Sequence, residues 1–179
     1  MFLSPPNPVL EALSRLGRAG FEAYLVGGCV RDALLGREPG DYDIATDAMP
    51  EQVRKVFSGF QTMDIGMRHG TLTVVIDGRP LEVTTYRLDG AYSDGRHPDQ
   101  VSFTQSLRED LNRRDFTVNA MAWRPDSGLI DPANGRLDCE KRLIRAVGEP
   151  AERFREDALR ILRALRFACQ LGFDIEPGT

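Results

Sequence analysis

The chain has 179 residues, 41% apolar and 28% charged, and a formal net charge of −4. That length and balance suit one domain or slightly more, with enough chain to bury a sizeable core. They argue against a coat of positive charge for indiscriminate nucleic-acid binding, and no apolar run reaches the eighteen or so residues of a membrane span. Residues 1–6 lack the charged and apolar stretches of a secretory signal. Cys29, Cys139 and Cys169 lie far apart and never form Cys-x-x-Cys. Neither a disulfide framework nor a zinc site is expected, and the pattern points to a reducing cytoplasm. Arginine is concentrated late, at Arg113 and Arg114 and then at Arg153, Arg155, Arg160, Arg163 and Arg166, which leaves room for a local basic groove.

In chain order, Val9, Leu10, Leu13 and Leu16 recur at helical spacing before Gly17 and Gly20. Residues 21–26 read as a strand that feeds a tight turn at Gly27-Gly28, and residues 30–35 as a short helix stopped by Gly36. Residues 41–45 are the next predicted strand. Pro50 suits the first turn of a helix carrying Val53, Val56 and Phe57 inward. Residues 71–76 and 81–86 flank Asp77-Gly78, a strong two-residue hairpin signal. On the second arm Leu81, Val83 and Thr85 share one face, and Glu82, Thr84 and Tyr86 the other. Residues 88–103 have no period and predict a long loop. Helical spacing returns from Ser106, a turn is expected at residues 131–135, and Pro150 opens one long helix to Gly172. The shift from mixed to all-helical pattern near residue 145 divides the chain into residues 1–145 and 146–179.

Several groups of residues carry chemistry. Gly27 and Gly28 let backbone approach a polyphosphate, the following helix start presents free N–H groups, and Arg31 offers a bidentate clamp. A plain strand-to-helix turn with a surface arginine accounts for the same residues. Asp41 and Asp43, two apart on the predicted strand, would point the same way, where their repulsion is relieved by a cation. Mg²⁺ takes such carboxylates together with substrate phosphate oxygens. The alternative makes Asp41 a turn residue and Asp43 merely exposed. Glu82 is a third candidate carboxylate, or a solvent-facing strand residue, as Arg87 is. Arg113-Arg114-Asp115 is either a second triphosphate clamp or a solvated helix face. Asp157 and Arg160, neighbours at a spacing of three, can offer acceptors and donors to one planar partner, or form an ordinary helical ion pair. Arg163 and Arg166 follow at the same spacing.

Read together, five stretches resemble, in order, the bacterial-type group of tRNA CCA-adding enzymes and poly(A) polymerases of the nucleotidyltransferase superfamily. They are Leu-Val-Gly-Gly-Cys-Val-Arg-Asp (25–32), Asp-Tyr-Asp-Ile-Ala-Thr (41–46), Gly-Met-Arg-His-Gly-Thr-Leu-Thr-Val (66–74) with Leu-Glu-Val-Thr-Thr-Tyr-Arg (81–87), Arg-Arg-Asp-Phe-Thr-Val-Asn-Ala-Met-Ala (113–122), and Arg-Phe-Arg-Glu-Asp-Ala-Leu-Arg-Ile-Leu-Arg-Ala-Leu-Arg-Phe (153–167). The resemblance implies an α+β fold, a head with a small mixed β-sheet flanked by helices (1–145), followed by the start of an all-helical neck (146–179). It implies Mg²⁺ on Asp41 and Asp43, with Glu82 as the family's further acidic strand residue. Gly28, Arg31 and Arg114 would lie at the triphosphate. Asp157 and Arg160 would read the base, with Arg163 and Arg166 lining the same region. The implied activity is template-independent addition of CMP and AMP, from CTP and ATP, to the tRNA 3′ end. Residues 65–71 and 92–99 look like the CCA-adding branch, although separate CC- or A-adding enzymes share these motifs. Family members continue into further helices that grip tRNA, so a longer protein is implied.

Overall fold

A computed structural model describes residues 3–66, 69–90, 92 and 100–179. Its first helix, α1 (Asn7–Arg18), buries Val9, Ala12, Leu13 and Leu16, one stripe of a 3.6-residue period. Leu10 stays exposed because one helical step turns it about 100° from Val9. Strand β1 (Ala23–Val26) is buried throughout and ends at Gly27, whose φ of 75° starts the turn into α2 (Gly28–Leu34).

Next come β2 (Asp43–Thr46), α3 (Pro50–Val56), β3 (Gln61–Gly66), β4 (Thr71–Ile76) and β5 (Arg79–Thr85). The Asp77-Gly78 hairpin is as expected: Ile76 pairs with Arg79, and both turn residues have positive φ. The predicted strand 41–45 starts later than its pattern suggested. Asp41 precedes β2 in exposed chain outside the strand, and only Asp43 belongs to the ladder.

The predicted loop 88–103 is framed by a two-stranded ribbon, β6 (Arg87–Asp89) against β7 (Val101–Phe103). Strands of three residues show too little alternation to be recognised from sequence. Residues 67–68, 91 and 93–99, which fall within or beside the two stretches that look like the CCA-adding branch, lie outside the described residues. Beyond Ser106 the helical reading holds only for α4 (Leu107–Asn112), where the Ser106 hydroxyl accepts a hydrogen bond from Glu109 N–H. A single 3₁₀ turn follows at Thr117–Asn119, then strands β8 (Ala122–Arg124) and β9 (Gly128–Ile130), which sequence periodicity did not reveal.

These strands make a mixed sheet ordered β3-β4-β5-β2-β1-β8-β9. Its neighbours are antiparallel except β2 and β5, which run parallel. One face carries Leu25, Ile44, Leu72, Val74, Val83 and Trp123 into the main core with α1. The other face packs Tyr24, Val26, Ala45 and Ala122 beneath Leu107 and Leu111 of α4. Cover on both faces explains why β1 is apolar at every position.

Helix α5 (Gly135–Lys141) and β10 (Leu143–Ile144) lead to the helical end of the chain. The single long helix expected from Pro150 is two: α6 (Pro150–Glu156) and α7 (Leu159–Leu171), broken where Asp157 adopts extended backbone (φ −141°, ψ 102°). Strand β11 (Asp174–Ile175) returns to pair in parallel with β10, and Ala164, Phe167, Leu171 and Phe173 join the main core. The opposite face of α7 leaves Leu159, Ile161, Leu162 and Leu165 exposed. Among the described residues no helix is long and apolar enough to cross a membrane.

A candidate nucleotide-binding cleft

The end of β1 sets the floor of the site. Gly27 takes a conformation open to glycine, and a Cβ there would stand 3.2 Å from Nη1 of Arg114. Arg31, one turn into α2, is not a surface arginine, since only 5% of it is exposed. It donates to Oδ1 of Asn119 at 2.6 Å, pairs with Asp32 at 2.8 Å, and stacks on the ring of Phe167. Its guanidinium is thus held in place before any ligand arrives.

The carboxylates gather on the neighbouring strands. Antiparallel pairing sets Asp43 opposite Val26, beside the glycine turn, and the parallel β2–β5 ladder sets Asp43 next to Glu82. Registered partners share a face of a sheet, so Asp43 and Glu82 project together while Ile44 and Val83 enter the core. Asp41 reaches the same cleft from the chain before β2. Among the described residues none of the three has an ion-pair partner.

The Asp43 carboxyl is pushed up to about 6, first by burial and then by the negative charges of Asp41 and Glu82, with Arg114 opposing. Behind it, the Cys29 thiol is raised to about 12 by burial and by Asp43, which keeps it protonated, and it donates to Val26 O. Converging carboxylates with no cation are an unfavourable arrangement that a hard divalent ion relieves. Among the described residues no group of three or more His, Cys, Asp and Glu closes into a ready metal cage. Two carboxylates with room for substrate and water oxygens is the donor set that Mg²⁺ favours, so these residues fit such an ion.

Arginines line the same cleft. Arg114 pairs with Asp110 at 3.2 Å, and Arg113 pairs with the same carboxylate at 2.8 Å. Asp110 is 1% exposed; burial pushes its carboxyl up, but Arg114 and Arg113 outweigh this and hold it below the usual range. Asp89 adds a second acid to Arg113. Sequence reasoning passed over Asp110, although its spacing of three and four from Arg113 and Arg114 is that of helical ion pairs. It also passed over Asn119, whose distance of 88 residues from Arg31 leaves no local signal.

The helix break shapes the last wall. Asp157 Oδ1 accepts from the backbone N–H of Leu159, the first residue of α7, at 2.9 Å, a local turn that holds its carboxylate at the break. The ordinary ion pair with Arg160 is therefore not formed: Arg160 turns back to Glu156 at 2.6 Å and donates to the carbonyls of Arg153 and Arg113. Arg163 pairs with Asp115 at 2.6 Å, and Arg166 lies over Phe167. One cleft of about 750 Å³ brings together Gly28, Arg31, Asp41, Asp43, Glu82, Arg114, Asp157, Arg160, Arg163 and Arg166. Carboxylates and arginines line it in equal number.

Residues 23–145 match the model of the poly A polymerase head domain. The chain belongs to that family. Within the poly A polymerase head family, it is 52% identical over 173 residues to the CCA-adding enzyme of Limosilactobacillus fermentum, covering 97% of this chain and 43% of that enzyme. It is 53% identical over 178 residues to that of Geobacillus thermodenitrificans, covering 99% of this chain and 44% of the relative. A crystal structure of the Bacillus stearothermophilus CCA-adding enzyme in complex with CTP superposes with a TM-score of 0.90 at 48% identity, covering 99% of this chain and 42% of that one. A tRNA nucleotidyltransferase complexed with a primer tRNA and an incoming ATP analogue superposes at 0.73 and 35% identity, covering 94% and 47%. The chain thus spans less than half the length of these relatives, and the α+β head fold is the one they share.

Proposed function

We propose that this chain is the catalytic head (residues 1–145) and first neck portion (146–179) of a cytoplasmic, template-independent RNA nucleotidyltransferase. It would add CMP and AMP, from CTP and ATP, to the tRNA 3′ end. The observation that carries this reading is the cleft itself, where carboxylates on β2 and before it, without an ion-pair partner among the described residues, meet arginines already fixed by buried partners. CCA-adding relatives at more than half identity favour tRNA as the acceptor.

In this reading Arg31, Arg114 and the Gly27-Gly28 backbone hold the triphosphate and offset its charge as pyrophosphate leaves. Asp41 and Asp43 would hold Mg²⁺, which when bound supplies a Lewis acid for the α-phosphate and lowers the pKa of a bound hydroxyl. Glu82 adds negative charge beside them and keeps the 3′-hydroxyl side of the cleft acidic. Asp157, already oriented by the Leu159 N–H, presents its remaining acceptor capacity to a base edge, with the Arg160 donors beside it. Arg163 and Arg166 line the same wall.

The test is incorporation of labelled CMP and AMP into tRNA transcripts ending before C74, C75 and A76 (standard tRNA positions). Wild-type chain should extend each transcript only to CCA, and Asp41→Asn should abolish transfer while keeping much of the nucleotide affinity. Long A tails would support the poly(A) polymerase reading that the family's own name raises. Binding of CTP without transfer would mark the chain as a nucleotide-binding part that needs further helices.

A further inference from the structure

Three guanidinium groups converge on one aromatic ring. The Cζ atoms of Arg31, Arg163 and Arg166 lie 5.3, 5.3 and 4.7 Å from the Phe167 centroid. These are cation–π distances, and Phe167 is 7% exposed, so little solvent weakens them. The ring is itself held edge-on by Phe116 at 6.0 Å.

A second link joins the same two helices. Arg31 donates to Asn119 Oδ1 at 2.6 Å, and Asn119 Nδ2 donates to Asp115 Oδ1 at 3.3 Å. The other oxygen of Asp115 accepts from Arg163, from Nε at 2.7 Å and Nη2 at 2.6 Å. Arg31 of α2 and Arg163 of α7 are therefore joined twice, through a ring and through an amide–carboxylate relay. Like charges this close repel, and the ring quadrupole, Asp32 and Asp115 offset that repulsion. Arg166 has no acidic partner among the described residues.

We propose that Phe167 and Asn119 are positioning residues that fix the triphosphate arm, Arg31, relative to the base-facing helix α7. Phosphate binding and base selection then become one coupled event, because neither arm can shift without disturbing the other. This rests on the nucleotide reading of the cleft. Phe167 and Asn119 act through the arginines rather than on the reacting atoms.

The test has two stages. In the nucleotide-free chain, ¹⁵N–¹H spectra of the arginine side chains should show ring-current-shifted Nε–H signals for Arg31, Arg163 and Arg166, and Phe167→Leu should remove those shifts. Calorimetry with CTP, UTP and inorganic tripolyphosphate then reads the coupling. Phe167→Leu, which keeps apolar bulk, should weaken CTP about tenfold. It should weaken tripolyphosphate less, and so reduce discrimination between CTP and UTP. Phe167→Tyr should restore all three affinities to within roughly twofold. Asn119→Ala, which leaves the ring in place, should also lower discrimination, and it carries the test if Phe167→Leu does not fold.

A merely structural role would lower the melting temperature without changing the CTP to tripolyphosphate ratio, and that result overturns the proposal. Absence of ring-current shifts in the wild type overturns it as well. Shifts present in a chain that takes up no CTP would overturn the nucleotide reading beneath it.

Discussion

Replacing Asp43 with Asn should stabilise the ligand-free fold. The carboxyl of Asp43 is raised from 3.8 to about 6 by burial and by Asp41 and Glu82. That rise is worth about 3 kcal/mol, since each tenfold weakening of the acid costs roughly 1.4 kcal/mol. The sign follows from which state ionises more easily. Below the unfolded value both states are protonated and Asp43 costs nothing. As pH rises from about 3.8 to about 6, ionisation favours the unfolded chain, and above 6 the full cost is present. Asn carries no charge and removes that cost. For a chain of this size the change corresponds to a melting temperature raised by roughly 6–12 °C. Circular-dichroism melts in EDTA between pH 4 and pH 8 would measure it. The gap should be full at pH 8, shrink through pH 5 and close near pH 4. Adding Mg²⁺ and CTP should narrow it at pH 8, because the wild type keeps both carboxylates for the metal and gains more from the ligand than the Asn variant does. An Asn variant that melts no higher than wild type at pH 8, or a gap unchanged at pH 4, would refute the reasoning.

Further substitutions follow from the same geometry. Gly27→Ala forces a side chain into positive φ and to 3.2 Å from Arg114, so it should cost about 1–2 kcal/mol in urea unfolding and weaken CTP binding. Asp110→Asn leaves Arg113 and Arg114 without their buried carboxylate; it should destabilise by about 3 kcal/mol and raise the KM for CTP, measured by urea melts and initial rates. Asp157→Ala removes the bond that Leu159 N–H donates at the start of α7 and should cost about 1 kcal/mol, while relaxing the choice among the four nucleoside triphosphates in an incorporation assay.

How much of this was readable in the residues depends on the range of the interactions. The Asp77-Gly78 hairpin was legible because turn chemistry is local: both residues take positive φ, and the flanking β-branched runs pair in the expected register. The motifs that stood out by their order also meet in space, with glycine turn, carboxylates, arginine pair and helical stripe all lining one cleft. The errors arose where a local pattern was ambiguous. Alternation from Asp41 to Ala45 fits a strand, yet the ladder begins at Asp43, so shared strand face is not what brings the two aspartates together. The amphipathic period across Asp157 gave no warning of a break, although an aspartate two residues before Leu159 is a helix-start signal. Strands β8 and β9 are too short to show a period. The β2–β5 register that places Glu82 beside Asp43, and the bond from Arg31 to Asn119, are non-local and belong to the fold alone.

The central claim is that the carboxylates of this cleft gather a divalent ion against the phosphates of a nucleotide held by Arg31 and Arg114. Crystals grown with Mn²⁺ and CTP test it most directly, because manganese scatters anomalously. An anomalous peak is expected between the carboxylates of Asp41 and Asp43, with triphosphate density running toward Gly28, Arg31 and Arg114. A manganese peak or triphosphate density elsewhere on the molecule, with this cleft left empty, would contradict it.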